Sequence, residues 1–300
     1  MKERTIGLFL LARQNEYQRL QEASAMAMAH HLRTPLDVHF SESNAYVQTK
    51  QIYDFIHAHP AGSALVVESV VDEALEPVAR HAVLAGMGWY LLHRIVPYMD
   101  HLRREFPKLP IGAVTSDQKE IGRIQGKHFE ALLPGKGTVL YVQGPSGSSI
   151  VADRLAGMRE VIEGTSIAYH LVRGDWSEES GETAVSKWLE SRVGSPFQLL
   201  GCQNDAMAVG AMRALSRGAA AGQRDLASVL VTGVDGNPEY GIPLVDRKRL
   251  AATIIMPPAA GHAVQVIHEA WTTGQTAPPI VRLPVRSYLD LPLVALRARP

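Results

Sequence analysis

The sequence predicts an α/β protein built from two doubly wound parallel-sheet lobes. Short apolar runs alternate with longer amphipathic stretches along the whole 300-residue chain. This is the rhythm of βαβ units, in which helices cover both faces of a parallel sheet. The rhythm runs through one series of strands and then starts again, which suits two ordinary domains better than one. Hydrophobic residues make up 46% and charged residues 20%, so large cores can form and a disordered chain is excluded.

Thr5–Leu11 reads as a buried strand, apolar at every position after the first. Glu16–His31 reads as a helix, with Leu20, Ala23, Met26 and Ala27 at helical spacing. Leu36–Phe40 is the second strand. Asn44 is placed to cap a helix running to about His57, because its side chain accepts from N–H groups left unsatisfied at a helix start. Ser63–Val67 is a third strand, followed by a helix around Glu73–Ala85. Trp89–Leu92 and Ile111–Val114 are the fourth and fifth strands. The second series sets helices at Ile121–Leu133, Ser149–Ile162, Glu178–Val193 and Ala206–Leu215 among strands at Thr138–Val142, Ile167–Val172, Phe197–Leu200 and Val229–Val234. Leu250–Ile255 is a last strand and Ala259–Trp271 the last long helix.

Lys plus Arg is 30 and Asp plus Glu is 30. With no basic excess, a nucleic-acid partner is not expected. The single cysteine excludes an intrachain disulfide framework and a Cys-only zinc site. The twelve histidines never form H-E-x-x-H, and the adjacent pair His30-His31 projects from different sides of a helix, so no metal is expected. No apolar run approaches the roughly 20 residues of a bilayer helix. Lys2–Arg4 could open a signal peptide, but the apolar stretch stops at Arg13-Gln14-Asn15 with no small-residue cleavage site. A trimmed leader and a cytoplasmic protein both remain open.

In open parallel sheets, ligands bind at the carboxyl ends of the strands. Those ends carry Asn15 and Tyr17, Glu68, His93-Arg94, Gly144–Ser148 with Arg154 beyond, Asn204-Asp205, and Asp235-Gly236-Asn237. Amides, carboxylates, Arg and an aromatic ring suit a polyhydroxylated guest: the polar groups pair with hydroxyls and the ring covers an apolar sugar face. Other chemistries find less support. Gly144–Ser148 lacks phosphate-loop spacing, the first strand lacks a dinucleotide fingerprint, and position 148 is not the glycine of a nucleophile elbow. Cys202 reads as a core thiol. Glu68 and Asp235 could pair for glycoside hydrolysis, but no spacing fixes their separation. Asp117 and Asp205 each suit helix capping as well as ligand contact. Trp176 reads as a surface or interface aromatic more than a stacking ring, whereas Tyr17 is a stacking candidate.

Several segments together resemble type I periplasmic sugar-binding proteins, the ribose-binding-like fold shared with LacI-type effector domains. Gln203–Ala211 resembles the family's Q-N-D-x-M-A-x-G-A, Val234–Pro238 its D-G-x-P, and Arg154–Met158 its R-x-x-G-F/M. Ser116-Asp117 with Gly122 and Gly126, and Ala252-Thr253-Ile254, match further elements. The resemblance implies two lobes, residues 1–115 with 257–283 and 116–256 with 284–300, joined by crossings near Ala113–Asp117, Met256–Pro258 and Arg282–Arg286, that close on a ligand. It implies contacts from Asn15, Tyr17, Glu68, His93 and Arg94 in one lobe and from Arg154, Asn204, Asp235 and Met256 in the other. His93 stands where the family has an acidic residue, Met256 where it has an amide, and Gln18 where it has a second aromatic. A hydroxyl left unpaired in a closed site costs about 1–3 kcal/mol, so ribose itself fits less well than another sugar or polyol, neutral or mildly anionic. Carried over with the family are a non-enzymatic role, no cofactor or metal, a monomer, a periplasmic location, and delivery to the membrane permease of an ABC transporter. A ligand sensor signalling to a kinase is the alternative. A LacI-type repressor fits poorly, because the first strand begins at Thr5 and leaves no room for a helix-turn-helix.

Overall fold

The computed structural model describes residues 3–191, 196–221 and 226–289. In chain order the first elements are β1 (Ile6–Leu10), α1 (Glu16–Leu32), β2 (Leu36–Phe40), α2 (Ala45–Ala58), β3 (Ala64–Val67), α3 (Glu76–Leu84), β4 (Gly88–Leu92), α4 (Tyr98–Glu105) and β5 (Ile111–Ser116). They are followed by α5 (Gln118–Leu132), β6 (Lys136–Gln143), α6 (Ser149–Ile162), β7 (Ser166–Arg173), α7 (Glu178–Glu190), β8 (Leu199–Cys202) and α8 (Asp205–Ala220). The last are β9 (Leu230–Thr232), α9 (Gly241–Asp246), β10 (Ile254–Ile255), α10 (Ala259–Thr273), β11 (Ile280–Leu283) and β12 (Arg286–Ser287). The chain divides into two units, Met1–Ser116 with Pro258–Leu283, and Asp117–Pro257 with the chain from Pro284 onward. Residues 290–300, which the sequence reading allots to the second lobe, lie outside the described residues, as does Val193 at the expected end of α7.

The first unit holds one six-stranded sheet in the order β11-β5-β4-β3-β1-β2, parallel at every pairing. Its order reverses at β1, which has β2 on one side and β3 on the other. β1, β3 and β4 are buried at every position, as strands covered on both faces must be. Alternate side chains serve two cores. Phe9, Leu65, Trp89 and Leu91 pack with α2, α3 and α4. Leu8, Val66, Tyr90 and Leu92 pack with α1 and α10.

The second unit holds the parallel sheet β7-β6-β8-β9. Single parallel bridges Thr232–Ala252 and Asp235–Ile255 extend it, and β10 pairs antiparallel with β12. Leu140, Val142, Leu200 and Cys202 face α7 and α8, while Val139, Tyr141 and Leu199 face α5 and α6.

The helices of this unit pack as close pairs, α5 on α6 and α7 on α8, and glycines make the approach possible. A Cβ on Gly157 would lie 1.9 Å from the Lys119 carbonyl oxygen, and one on Gly122 would lie 2.1 Å from that of Arg154. On the other pair, a Cβ on Gly210 would lie 1.8 Å from the Glu178 carbonyl oxygen. Three of the motif glycines read from the sequence are therefore contact points between helix backbones.

The expected elements differ from the observed ones mainly where pairing or length decides. β8 begins at Leu199, not Phe197, because its ladder with β6 starts at the Val139–Leu199 pair. This shift puts Cys202 inside the strand. The run Leu250–Ile255 yields only a two-residue strand. The short helices α4 and α9 were not anticipated: the first follows Pro97 and the second is six residues long, too short for a periodic signal.

Gly157→Ala should lower the stability of the protein by about 1–3 kcal/mol, the usual cost of overpacking. Chemical denaturation followed by circular dichroism measures this, and an unchanged midpoint would show that the α5–α6 contact can spread at little cost.

Candidate functional site

At the carboxyl ends of the neighbouring strands β1, β3 and β4, the first lobe gathers Asn15, Tyr17, Glu68, His93 and Arg94. Asn15 caps α1, its Oδ1 accepting from the N–H groups of Tyr17 at 2.9 Å and Gln18 at 3.2 Å. The cap sets Tyr17 at the helix start, where its buried ring stands 5.5 Å from that of His93. His93 adopts φ +65°, a left-handed conformation uncommon outside glycine. Its Nε2 lies 2.7 Å from Gln21 Nε2. The Oε1 of the fully buried Gln21 accepts from the Ala260 N–H at 2.8 Å, so its amide nitrogen must donate and His93 Nε2 must accept. The imidazole therefore carries its proton on Nδ1 in this arrangement.

Glu68 is only 6% exposed. Burial pushes its carboxyl up to about 7, against the opposing hydrogen bond from Gln18 and the charge of Arg94. Arg94 is itself engaged: Nη1 donates to Asp72 Oδ1 at 2.7 Å and to the Ser69 carbonyl at 2.9 Å. It thus ties the β3 loop to the β4 loop.

The second lobe gathers Arg154, Trp176, Asn204, Asp235 and Met256. Arg154 is buried, and its guanidinium is oriented by three acceptors. Nε donates to Gln118 Oε1 at 2.9 Å, Nη1 to the Gln203 carbonyl, and Nη2 to Met256 Sδ at 3.5 Å. Met256 thus turns its sulfur to the arginine. The Trp176 ring lies 5.8 Å from the guanidinium and covers Gly144, where a Cβ would come within 2.2 Å of the indole. Asn204 caps α8, accepting from the Met207 N–H at 2.9 Å, and donates through Nδ2 to the Trp176 carbonyl at 2.9 Å. Asp235 adopts φ +111°, a conformation that costs a non-glycine residue about 1–3 kcal/mol. The strain is held by its N–H donating to the Ile254 carbonyl at 3.0 Å and its carbonyl accepting from Met256 at 3.1 Å. Trp176, at φ +77°, is strained in the same sense. Among the described residues, no group of three His, Cys, Asp or Glu side chains is placed to hold a metal ion.

A family model described as periplasmic binding protein domain matches residues 6–275. The chain belongs to the periplasmic binding protein family. The galactofuranose-binding protein YtfQ of Escherichia coli K12 is 26% identical to this periplasmic binding protein over 234 residues, 76% of this chain and 70% of that protein. The ribose import binding protein RbsB of the same organism is 31% identical over 150 residues, about half of each chain at 49% and 47%. The solved periplasmic component of the arabinose ABC transporter from Shewanella sp. ANA-3, bound to arabinofuranose, superposes with a TM-score of 0.82 at 20% identity, covering 98% of this chain and 95% of its own.

One expectation for this periplasmic binding protein needs correction. Asp205 does not cap α8; Asn204 does, and Asp205 is the first helical residue. Its fully buried carboxylate accepts from Thr253 Oγ1 at 2.7 Å and from the Gly236 N–H at 3.0 Å, and a Cβ on Gly233 or Gly241 would strike its oxygens. It latches the Asp235–Gly236 turn to the start of α8. Trp176 is half-buried against Arg154 and Gly144. Asp117 does cap its helix, accepting from the Glu120 N–H at 2.9 Å. Cys202 is buried in the core, where burial and then the charge of Asp205 push its thiol up.

Sequence reasoning missed the buried glutamines that hold these residues. Gln203 accepts from the Gly144 N–H at 3.1 Å and donates to Tyr141 Oη at 3.2 Å. Gln18 accepts from the Leu11 N–H at 3.0 Å. A signal existed: Gln18 and Gln21 share the inward stripe of α1 with Ala25 and Ala29, and polar residues on a core stripe need specific partners.

Burial pushes the Asp205 carboxyl up to about 7, against the hydrogen bonds from Thr253 and Gly236 and the charge of Arg154. A carboxyl with a folded value above its unfolded one stabilises fully below the unfolded value, and loses that contribution as pH rises through the folded one. The melting-temperature difference, wild type minus Asp205→Asn, should therefore fall between about pH 4 and pH 8. His128, which burial pushes down to about 4, titrates in both proteins and cancels. A difference independent of pH would show that Asp205 does not titrate in this range.

Proposed function

We propose that this protein is a non-enzymatic solute receptor of the periplasm that holds a sugar or sugar-like polyol and presents it to the membrane permease of an ABC transporter. The observation that carries this reading is the composition of the strand-end clusters. Each lobe offers an aromatic ring beside hydrogen-bonding groups of fixed orientation, Tyr17 with Glu68 and His93 in one, Trp176 with Arg154, Asn204 and Asp235 in the other. An aromatic face with convergent polar groups suits a molecule that is apolar on its ring faces and polar around its edge. Neither cluster contains a nucleophile with an adjacent base, the arrangement that covalent catalysis needs. The galactofuranose- and ribose-binding relatives favour the same ligand class.

Within this reading Asn15, Tyr17, Glu68 and His93 in the first lobe and Arg154, Asn204, Asp235 and Met256 in the second contact or orient the ligand. Arg94 acts by holding the loop that carries Glu68 and Ser69.

Thermal-shift measurements over aldopentoses, aldohexoses, furanose-forming sugars and cyclitols test the proposal. A cognate ligand at 100 times its Kd adds about 2.7 kcal/mol of stability, and calorimetry should show Asp235→Ala and Arg154→Ala each weakening binding tenfold or more. Circular dichroism checks that the variants remain folded. Absence of any stabilisation across the panel would overturn the sugar reading, and release of a chemically altered ligand would overturn the non-enzymatic one.

A further inference from the structure

The end of β3 presents buried polar atoms that the first lobe does not satisfy. Glu68 Oε2, Ser69 Oγ and Arg94 Nε are all buried and have no hydrogen-bond partner among the described residues. Such groups are rare in folded proteins and call for an explanation, because a desolvated polar atom without a partner is costly.

Glu68 cannot easily turn away. Its N–H donates to the Phe9 carbonyl at 2.9 Å, and its carbonyl accepts from Gln48 Nε2 at 2.8 Å. Gln48, buried in α2, also accepts from the Val70 N–H at 3.0 Å. The residues on either side are thereby pinned to the sheet and to the helix. On the carboxylate itself, Gln18 supplies a hydrogen bond from α1. With Gln18 Oε1 engaged by the Leu11 N–H, that bond comes from its amide nitrogen.

The charges of this cluster do not balance. Arg94 is matched by Asp72 at 2.7 Å. His93, accepting at Nε2 and protonated at Nδ1, adds no charge. Among the described residues, Glu68 is left as the carboxyl without an ion-pair partner of its own. Arg94 is therefore already neutralised inside the lobe.

We propose that Glu68 selects an amino-substituted polyol, whose ammonium group it receives where a plain sugar carries a hydroxyl. The inference rests on the sugar-or-polyol reading above. A hydroxyl would give Oε2 one hydrogen bond and leave the carboxyl without an opposite charge. An ammonium supplies the hydrogen bond and the opposite charge together, and charge-assisted bonds are roughly twice as strong as neutral ones. A buried charge that lacks its partner is the arrangement most worth completing. The groups facing the carboxylate are Gln18 from α1 and, by its charge, Arg94 from the β4 loop. Because burial brings the carboxyl to about 7, an arriving ammonium would hold it ionised, and the binding event would release any proton it carried.

The experiment is isothermal calorimetry near pH 7 on matched pairs, D-galactose with D-galactosamine, D-glucose with D-glucosamine, and scyllo-inositol with scyllo-inosamine. Wild type, Glu68→Gln and Glu68→Asp are compared, each in two buffers of different ionisation enthalpy. Wild type should bind at least one amine tenfold or more tighter than its hydroxyl twin, with proton release. Glu68→Gln should lose that preference and the proton release, the amine losing far more affinity than its hydroxyl twin; Glu68→Asp should keep part of both. A neutral twin bound as tightly as its amine, or a preference that survives Glu68→Gln, overturns the inference and leaves the sugar reading standing. Failure to bind any polyol of either kind overturns both.

Discussion

Buried polar groups must find hydrogen-bond partners, and in this protein that demand shapes the carboxyl edge of each sheet. The central parallel strands β1, β3 and β4, covered on both faces, are buried along their whole length. Around them, polar side chains gather in the loops where strands hand over to helices. There the side chains that satisfy orphan backbone groups also set the loop conformations. Asp205 ties the Gly236 N–H and Thr253 to the start of α8, and the neighbouring Asp235 keeps its left-handed backbone inside that frame. Gln21 does the same for His93 by orienting the imidazole from the Ala260 N–H.

Several of the residues expected at the site are themselves structural. Asn15 and Asn204, both expected to contact ligand, serve first as helix caps. A capping amide is fixed by the helix it starts, which gives its remaining hydrogen-bonding capacity a defined direction at no extra cost in side-chain entropy. Arg154 is fixed more strongly, with Gln118, Gln203 and Met256 around its guanidinium. His93, Trp176 and Asp235 share positive φ values, and strain at such positions persists only where surrounding bonds over-determine them.

The glycines of the signature segments have a different origin. Gly122, Gly157 and Gly210 lie where one helix backbone meets another, so they report on helix pairing and not on ligand chemistry. Much of the family signature in this chain is therefore architectural. Arg154, Asn204 and Asp235 are the signature letters that place polar side chains at the strand ends, and Glu68 and His93 stand outside the signature.

The apolar runs of β1, β3 and β6 and the inward stripes of the long helices were legible in the sequence, because burial on both faces demands continuous hydrophobicity and helical packing demands its own period. The helix caps at Asn44 and Asp117 were legible for the same local reason: a side chain three residues ahead of an N–H acts within one turn. The start of β8, the two-residue length of β10 and the latch at Asp205 were not, since each depends on partners far along the chain, namely Val139, Arg286 and Thr253. The pairing of Arg94 with Asp72 was equally invisible, although both residues are in plain sight in the sequence. Local propensity acts through neighbours in the chain, whereas charge balance, strand register and the partners of buried amides are set only when distant segments are packed side by side.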